Sequence, residues 1–198
     1  MPYSKFTLEE VLTKFNLTLV ESLGKFNNLP EVTPSKLLEE TLEDNVPLAV
    51  AIATEKARSE LIVSPILVAV RKYLNKEISL FSGIEFNVNS DLELSGYCDF
   101  IISFSSLQSI IQAPVVVLVE AKNDNIKSGF GQCLAEMVAA QIFNQDRGNQ
   151  ISQIYGVITT GTAWQFLELE GKNAVLDLEE YSLKNLPKLL GILISFVS

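Results

Sequence analysis

Val115-Val116-Val117-Leu118-Val119-Glu120-Ala121-Lys122 is the stretch on which the reading of the fold turns. Pro114 precedes it, and five apolar, mostly β-branched residues follow without alternation. A strand with one face in water alternates apolar and polar residues. An unbroken apolar run instead predicts a strand covered on both faces, in the middle of a sheet. Glu120 ends the run, and Lys122 lies two residues on. In extended backbone, such a pair projects from one side of the sheet. A carboxylate at the end of a buried strand is costly unless a partner compensates its charge.

The neighbouring segments complete the pattern. Downstream, the period turns helical over residues 128–144. Phe130, Leu134, Met137, Val138 and Gln141 fall on one face, and Gln132 and Glu136 on another. Residues 154–160 and 163–169 read as paired strands across Thr160-Gly161-Thr162, with an edge strand at 173–178 and a closing helix at 184–196. Upstream, residues 78–88 and 92–104 read as an antiparallel hairpin around Asn89-Ser90-Asp91.

The beginning of the chain reads as helical. Thr7-Leu8-Glu9-Glu10 has the form of a capping box. Thr33-Pro34 predicts a helix start, with a helix over 34–44 stopping near Asn45. A long helix is then expected over 47–76, kinked or broken after Ser64 by Pro65. The expected order is helix, three strands, helix, two strands: an α/β (α+β) domain over residues 46–198, with an N-terminal helical extension over 1–45.

Composition narrows the chemistry. Hydrophobic residues make up 47% of the 198, enough for a substantial core and against disorder. The chain contains no histidine, which excludes serine–histidine triads, cysteine–histidine pairs and histidine-ligated zinc. Acid–base work falls to carboxylates, lysine, tyrosine or metal-bound water. Cys98 and Cys133 read as buried thiols. No apolar run is long enough to span a bilayer and the first residues lack a secretory signal, so a soluble cytoplasmic protein is expected. The net charge of −9 argues against a protein that coats nucleic acid through a broad basic surface.

Asp99 supplies a second carboxylate, within the strand-like Ser95-Gly96-Tyr97-Cys98-Asp99-Phe100-Ile101-Ile102. Pairing of the two strands would set it beside Glu120 and Lys122. Two carboxylates suit Mg²⁺, which binds oxygen and keeps several waters. A metal there would bind a phosphate oxygen and acidify a water, and the lysine would stabilise developing charge.

Asp99 followed by Glu120-Ala121-Lys122, in this order of elements, resembles the PD-(D/E)XK nuclease superfamily. The likeness covers roughly residues 50–170 and implies the restriction-endonuclease-like fold, three layers with a mixed central sheet flanked by helices. Cys98 stands where the motif's name has proline, a permissive position. Residues 156–166 are similar to the closing strand pair of type I restriction-like proteins. The resemblance implies a Mg²⁺ site, in which Mn²⁺ can substitute, formed by Asp99, Glu120 and the Ala121 carbonyl. It gives Lys122 to the attacking water, a further glutamate to the first core helix (Glu60 by position) and a polar residue to the following helix (Gln132). The implied activity is a Mg²⁺-dependent endonuclease acting on nucleic acid, DNA by preference, of restriction or repair type.

Other polar residues carry weaker readings. Glu60 can equally pair with Lys56 at i−4, and Glu136 needs no special role. Asp124, Lys127 and Arg147 suit ordinary loop and surface positions. Trp164 alternates with Phe166 as a core residue would, with base stacking as the functional reading. A different class of function is an inactive nuclease-fold module serving as a binding or regulatory subunit. Residues 51–150 hold 8 basic and 11 acidic side chains, a poor electrostatic footing for DNA. A homodimer would supply a wider groove, and the sequence leaves that open.

Overall fold

A computed structural model describes residues 2–198 of the chain. A short 3₁₀ turn, Tyr3–Lys5, leads into α1, Leu8–Phe15. Its capping box is formed in full: Thr7 accepts from the Glu10 backbone N–H, and the Glu10 carboxylate accepts from Thr7 N–H. A strand, β1 (Thr18–Ser22), follows, so the first 45 residues are not purely helical. Then come α2 (Lys36–Ile52), α3 (Glu55–Arg58), a π-helical turn (Ser59–Val63) and α4 (Ser64–Tyr73).

The helix boundaries differ from the sequence expectation for identifiable reasons. Ser35, rather than Thr33, caps α2 through its side chain. Pro47 does not stop this helix, because it lies on the exposed face, where water can replace its missing donor. The break comes at Ala53, in the left-handed conformation, after which Thr54 caps α3. Pro65 is absorbed by the π turn before it, in which the Ser64 N–H reaches back five residues to Ser59. Proline offers no N–H to the Leu61 carbonyl, and the Asn45 side chain donates to it instead at 2.9 Å.

The strands form one mixed sheet. β2 (Ser79–Glu85) pairs antiparallel with β3 (Tyr97–Ser103), which pairs antiparallel with β4 (Val115–Ala121). β4 pairs parallel with β5 (Gln153–Thr159), and β5 antiparallel with β6 (Ala163–Glu170). β6 pairs antiparallel with β7 (Asn173–Asp177) and with the short β8 (Tyr181–Ser182). β7 is not an edge strand, because β1 pairs with it in parallel. The strand order is β1-β7-β6-β5-β4-β3-β2.

Helices cover both faces. α1 and α5 (Phe130–Asp146) pack on one, and α2, α4 and α6 (Leu186–Ser195) on the other. Every residue of β4 is buried, as its uninterrupted apolar sequence predicts. Leu118 joins the core under α5, and Val117 and Val119 join the opposite core. Among the described residues no helix is long and apolar enough to cross a membrane.

α5 is not amphipathic in the ordinary sense. Gln132 and Glu136, expected on a polar face, are buried with most of the helix. The N-terminal segment lies over it so closely that a Cβ on Gly131 would come within 2.3 Å of the Phe6 carbonyl oxygen. Gly131→Ala is therefore expected to lower unfolding free energy by about 1–3 kcal/mol, the range for overpacking a close contact, measured by urea denaturation.

Candidate functional site

The site forms at the end of β4, where the central strand leaves the sheet. The last residues paired between β3 and β4 are Phe100 and Val119. One step further, the ladder gives way to a side-chain contact: the Asp99 carboxylate accepts the Ala121 N–H at 2.8 Å. A strand residue directs its N–H and C=O to the same neighbour, so the Ala121 carbonyl also lies on the Asp99 side. On the β5 side, the Lys122 N–H donates to the Thr159 carbonyl at 2.7 Å, extending the parallel ladder by one rung. Backbone pairing on both flanks thus holds Glu120-Ala121-Lys122 in place.

Glu120 is 2% exposed. Its Oε1 accepts from Lys122 Nζ, and its Oε2 is buried with no hydrogen-bond partner. Lys122 Nζ also donates to Gln132 Oε1 at 3.2 Å, and Gln132 Nε2 donates to Glu136 Oε1 at 3.1 Å. A chain of contacts therefore runs from strand end to helix interior: Glu120, Lys122, Gln132, Glu136. Glu136 is fully buried, and its Oε2 too has no partner.

The electrostatics follow from burial and crowding of like charge. Burial, and then the Asp99 charge, push the Glu120 carboxyl up to about 8, against the pull of Lys122. Burial and the charge of Glu120 hold the Glu136 carboxyl well above the usual carboxylate range. Burial raises Asp99, although the Ala121 N–H and Lys122 partly offset it. Burial opposes the charged form of Lys122, but the adjoining Glu120 outweighs it and raises the ammonium. One cation thus stands among more carboxylates than it can neutralise.

The structure brings together Asp99, Glu120, Ala121, Lys122 and Gln132. Glu60 is not among them. It is exposed, pairs with Lys56 at 2.7 Å, and lines a groove between α2 and α4. Glu55, exposed in the first turn of α3, adds charge that raises both Glu120 and Lys122, after the larger effects of burial and their nearer neighbours. The helix expected to run from 47 to a kink or break only after Ser64 concealed this start. A threonine cap followed by an acidic first turn, Thr54-Glu55, was the signal for a helix start there. Trp164 is fully buried, and its Nε1–H donates to the Gly161 carbonyl at 2.9 Å, so it serves the core and offers no stacking face. Cys98 and Cys133 are free and buried. The groove of about 310 Å³ that includes Glu60 lies between α2 and α4, away from this chemistry.

No family model and no curated protein matches the chain. The functional reading therefore stands on the site itself.

The donor set fits a hard divalent cation. Asp99 and Glu120 lie close enough for each to act on the other's charge, one Glu120 oxygen has no partner, and the Ala121 carbonyl faces the same side. Among the described residues no three acidic, histidine or cysteine side chains converge on one point. Two carboxylates with a main-chain carbonyl suit Mg²⁺, which retains waters for its remaining positions.

The raised Glu120 carboxyl has a consequence for stability. Between about pH 4.5 and pH 8 the folded state holds a proton that the unfolded chain has released. Stability is then greatest at low pH in this window and falls as pH rises through about 8. Glu120→Gln is expected to flatten this slope and to stabilise the protein at pH 8, by on the order of a few kcal/mol. Urea unfolding of both proteins at pH 5 and pH 8 measures it.

Proposed function

We propose that the chain is a divalent-metal-dependent phosphodiesterase, a nuclease of the PD-(D/E)XK type on a restriction-endonuclease-like fold, with DNA as the expected substrate. One observation carries the reading. At the end of a wholly buried strand, two neighbouring carboxylates outnumber their single cation, and a Glu120 oxygen is left without a partner. A structural ion pair would need one acid and one base, and the surplus acid would only weaken it. A cation site needs that surplus.

Asp99 and Glu120 would hold the metal with the Ala121 carbonyl, and the bound ion would supply Lewis acidity toward a phosphate oxygen and a water. The residues of the chain do the rest. Asp99 is fixed by the Ala121 N–H, beside Glu120. Lys122 is held by Gln132 and Glu120, with its ammonium at the site rather than in solvent. There it can hold the attacking water and stabilise charge on the phosphate. Gln132 orients Lys122 and is itself held by Glu136.

The net charge of −9 favours one second reading, a module on the same fold that binds a partner and does not cut. Two measurements separate them. Incubated with Mg²⁺ or Mn²⁺, the protein should nick DNA, and Asp99→Asn and Lys122→Ala should each reduce the rate by at least about a hundredfold, as loss of one electrostatic group does. A folded protein that cuts no DNA or RNA substrate across a broad panel sinks the enzymatic reading. Calorimetric titration with Mn²⁺ should show a site that Glu120→Gln weakens, and heat indifferent to that substitution would favour the module.

A further inference from the structure

α2 and α4 leave apolar surface uncovered. Leu37 and Leu48 of α2 are 64% and 51% exposed, and Val68 and Tyr73 of α4 are 54% and 57% exposed. These side chains belong to one surface. Leu37 and Val68 both line the groove between the two helices. Leu48 follows Leu37 after about three turns of α2, on the same stripe. A second groove, of about 270 Å³, adjoins the first, shares Leu38, Ala69 and Lys72 with it, and carries the surface on to Tyr73. A contiguous apolar surface of this kind marks an interaction site rather than ordinary solvated exterior.

The charges on the surface say what covers it. Two of the side chains that line the groove between α2 and α4 are charged, Glu60 and Lys72. Helical backbone runs without a break from Glu55 through the π turn to Tyr73, so both stand on one continuous rod. At 1.5 Å per residue they are about 18 Å apart along it. Both are exposed. Glu60 is engaged by Lys56, but an exposed i,i+4 pair is weak and leaves the carboxylate open to a second cation.

An acid at one end of a row and a base at the other make the row its own complement. A rotation of 180° about an axis through its middle sets Glu60 of each copy against Lys72 of the other, twice over. The same rotation lays Val68 of each copy over Ser64 of the other, a larger side chain against a smaller one, with Leu37 at the flank. A partner surface of uniform charge would match only one end. Two chains of net charge −9 repel at long range, so their association needs an apolar contact with complementary charges at its rim, which this face supplies.

We propose that the α2/α4 face joins two copies of this chain in an antiparallel, two-fold dimer, with Val68 near its centre and a Glu60–Lys72 pair at each end. The assignment is independent of the chemistry at the end of β4.

Sedimentation equilibrium of the full chain tests it. The mass should climb from 21.9 kDa toward twice that value as concentration rises. Val68→Asp should weaken self-association by at least about thirtyfold, as loss of a central contact does. Glu60→Lys and Lys72→Glu should each weaken it by at least about tenfold, because each sets like charges against one another at both ends. Mixed together, these two variants should pair with each other to within about threefold of the wild-type affinity, since both ends are then complementary again. Leu23→Asp, at a residue 76% exposed after β1, should associate as the wild type does. A chain that stays at 21.9 kDa at every concentration overturns the proposal. So does a dimer that Val68→Asp leaves intact, or one that Leu23→Asp breaks. Charge variants that associate as the wild type, or that fail to recover on mixing, overturn it as well. If Val68→Asp does not fold, the two charge variants and their mixture decide.

Discussion

Glu120 is a carboxylate held out of water at the end of a strand buried on both faces. Carboxyl groups in such surroundings must be paired, protonated or bound to a cation. The neighbourhood offers only part of that compensation. Lys122 takes one oxygen, the other has no partner, and Asp99 and Glu55 add charge of the same sign. The surrounding architecture reads as a means of keeping this group in place despite its cost.

Backbone pairing supplies the rigidity. Asp99 takes over the Ala121 N–H where the β3 ladder stops, and Thr159 receives the Lys122 N–H on the other flank. Neither side chain of the Glu120–Lys122 pair relies on a flexible loop for its position. A site built on strands in this way is more exact than one built on loops. α5 closes it from one side, and Gln132 links the lysine to the interior carboxyl of Glu136. α5 can approach the sheet closely because Gly156 of β5 leaves room for Cys133 and Met137, and Gly131 lets the N-terminal segment lie over its outer face. The opening residues are thus part of the wall behind the site, with Tyr3, Phe6, Val11 and Phe15 in the same core as Leu118 and Leu134.

Much of this was legible in the chain. The unbroken run at 115–119 announced a covered strand, and the two-residue step from Glu120 to Lys122 announced a shared face. The capping box at Thr7 formed as written. Other features were not legible. β1 carries a short, exposed pattern that resembles a loop, and only β7, more than 150 residues away, makes it a strand. Pro47 and Pro65 look alike as helix breakers. One is tolerated on a wet face and the other is accommodated by a π turn and a borrowed Asn45 donor. The helix expected to continue past Ala53 breaks there instead, and Glu60 ends on an exposed turn paired with Lys56.

The sequence by itself determined the mixed α/β class, the buried central strand and the presence of Asp99 and Glu120 at strand positions with Lys122 just past the strand end, because these follow from local periodicity. The absence of histidine determined equally well which chemistries are closed. Tertiary structure alone decided that Gln132 and Glu136 lie inside rather than on a polar face, and that Glu60 pairs with Lys56 on an exposed turn away from the strand end. Those properties belong to distances between segments far apart in the chain, and burial sets the charge of each group only once those distances exist. Glu120 shows the division most clearly: its place at the end of a strand is written in its neighbours, while its reluctance to ionise comes from what folding packs around it.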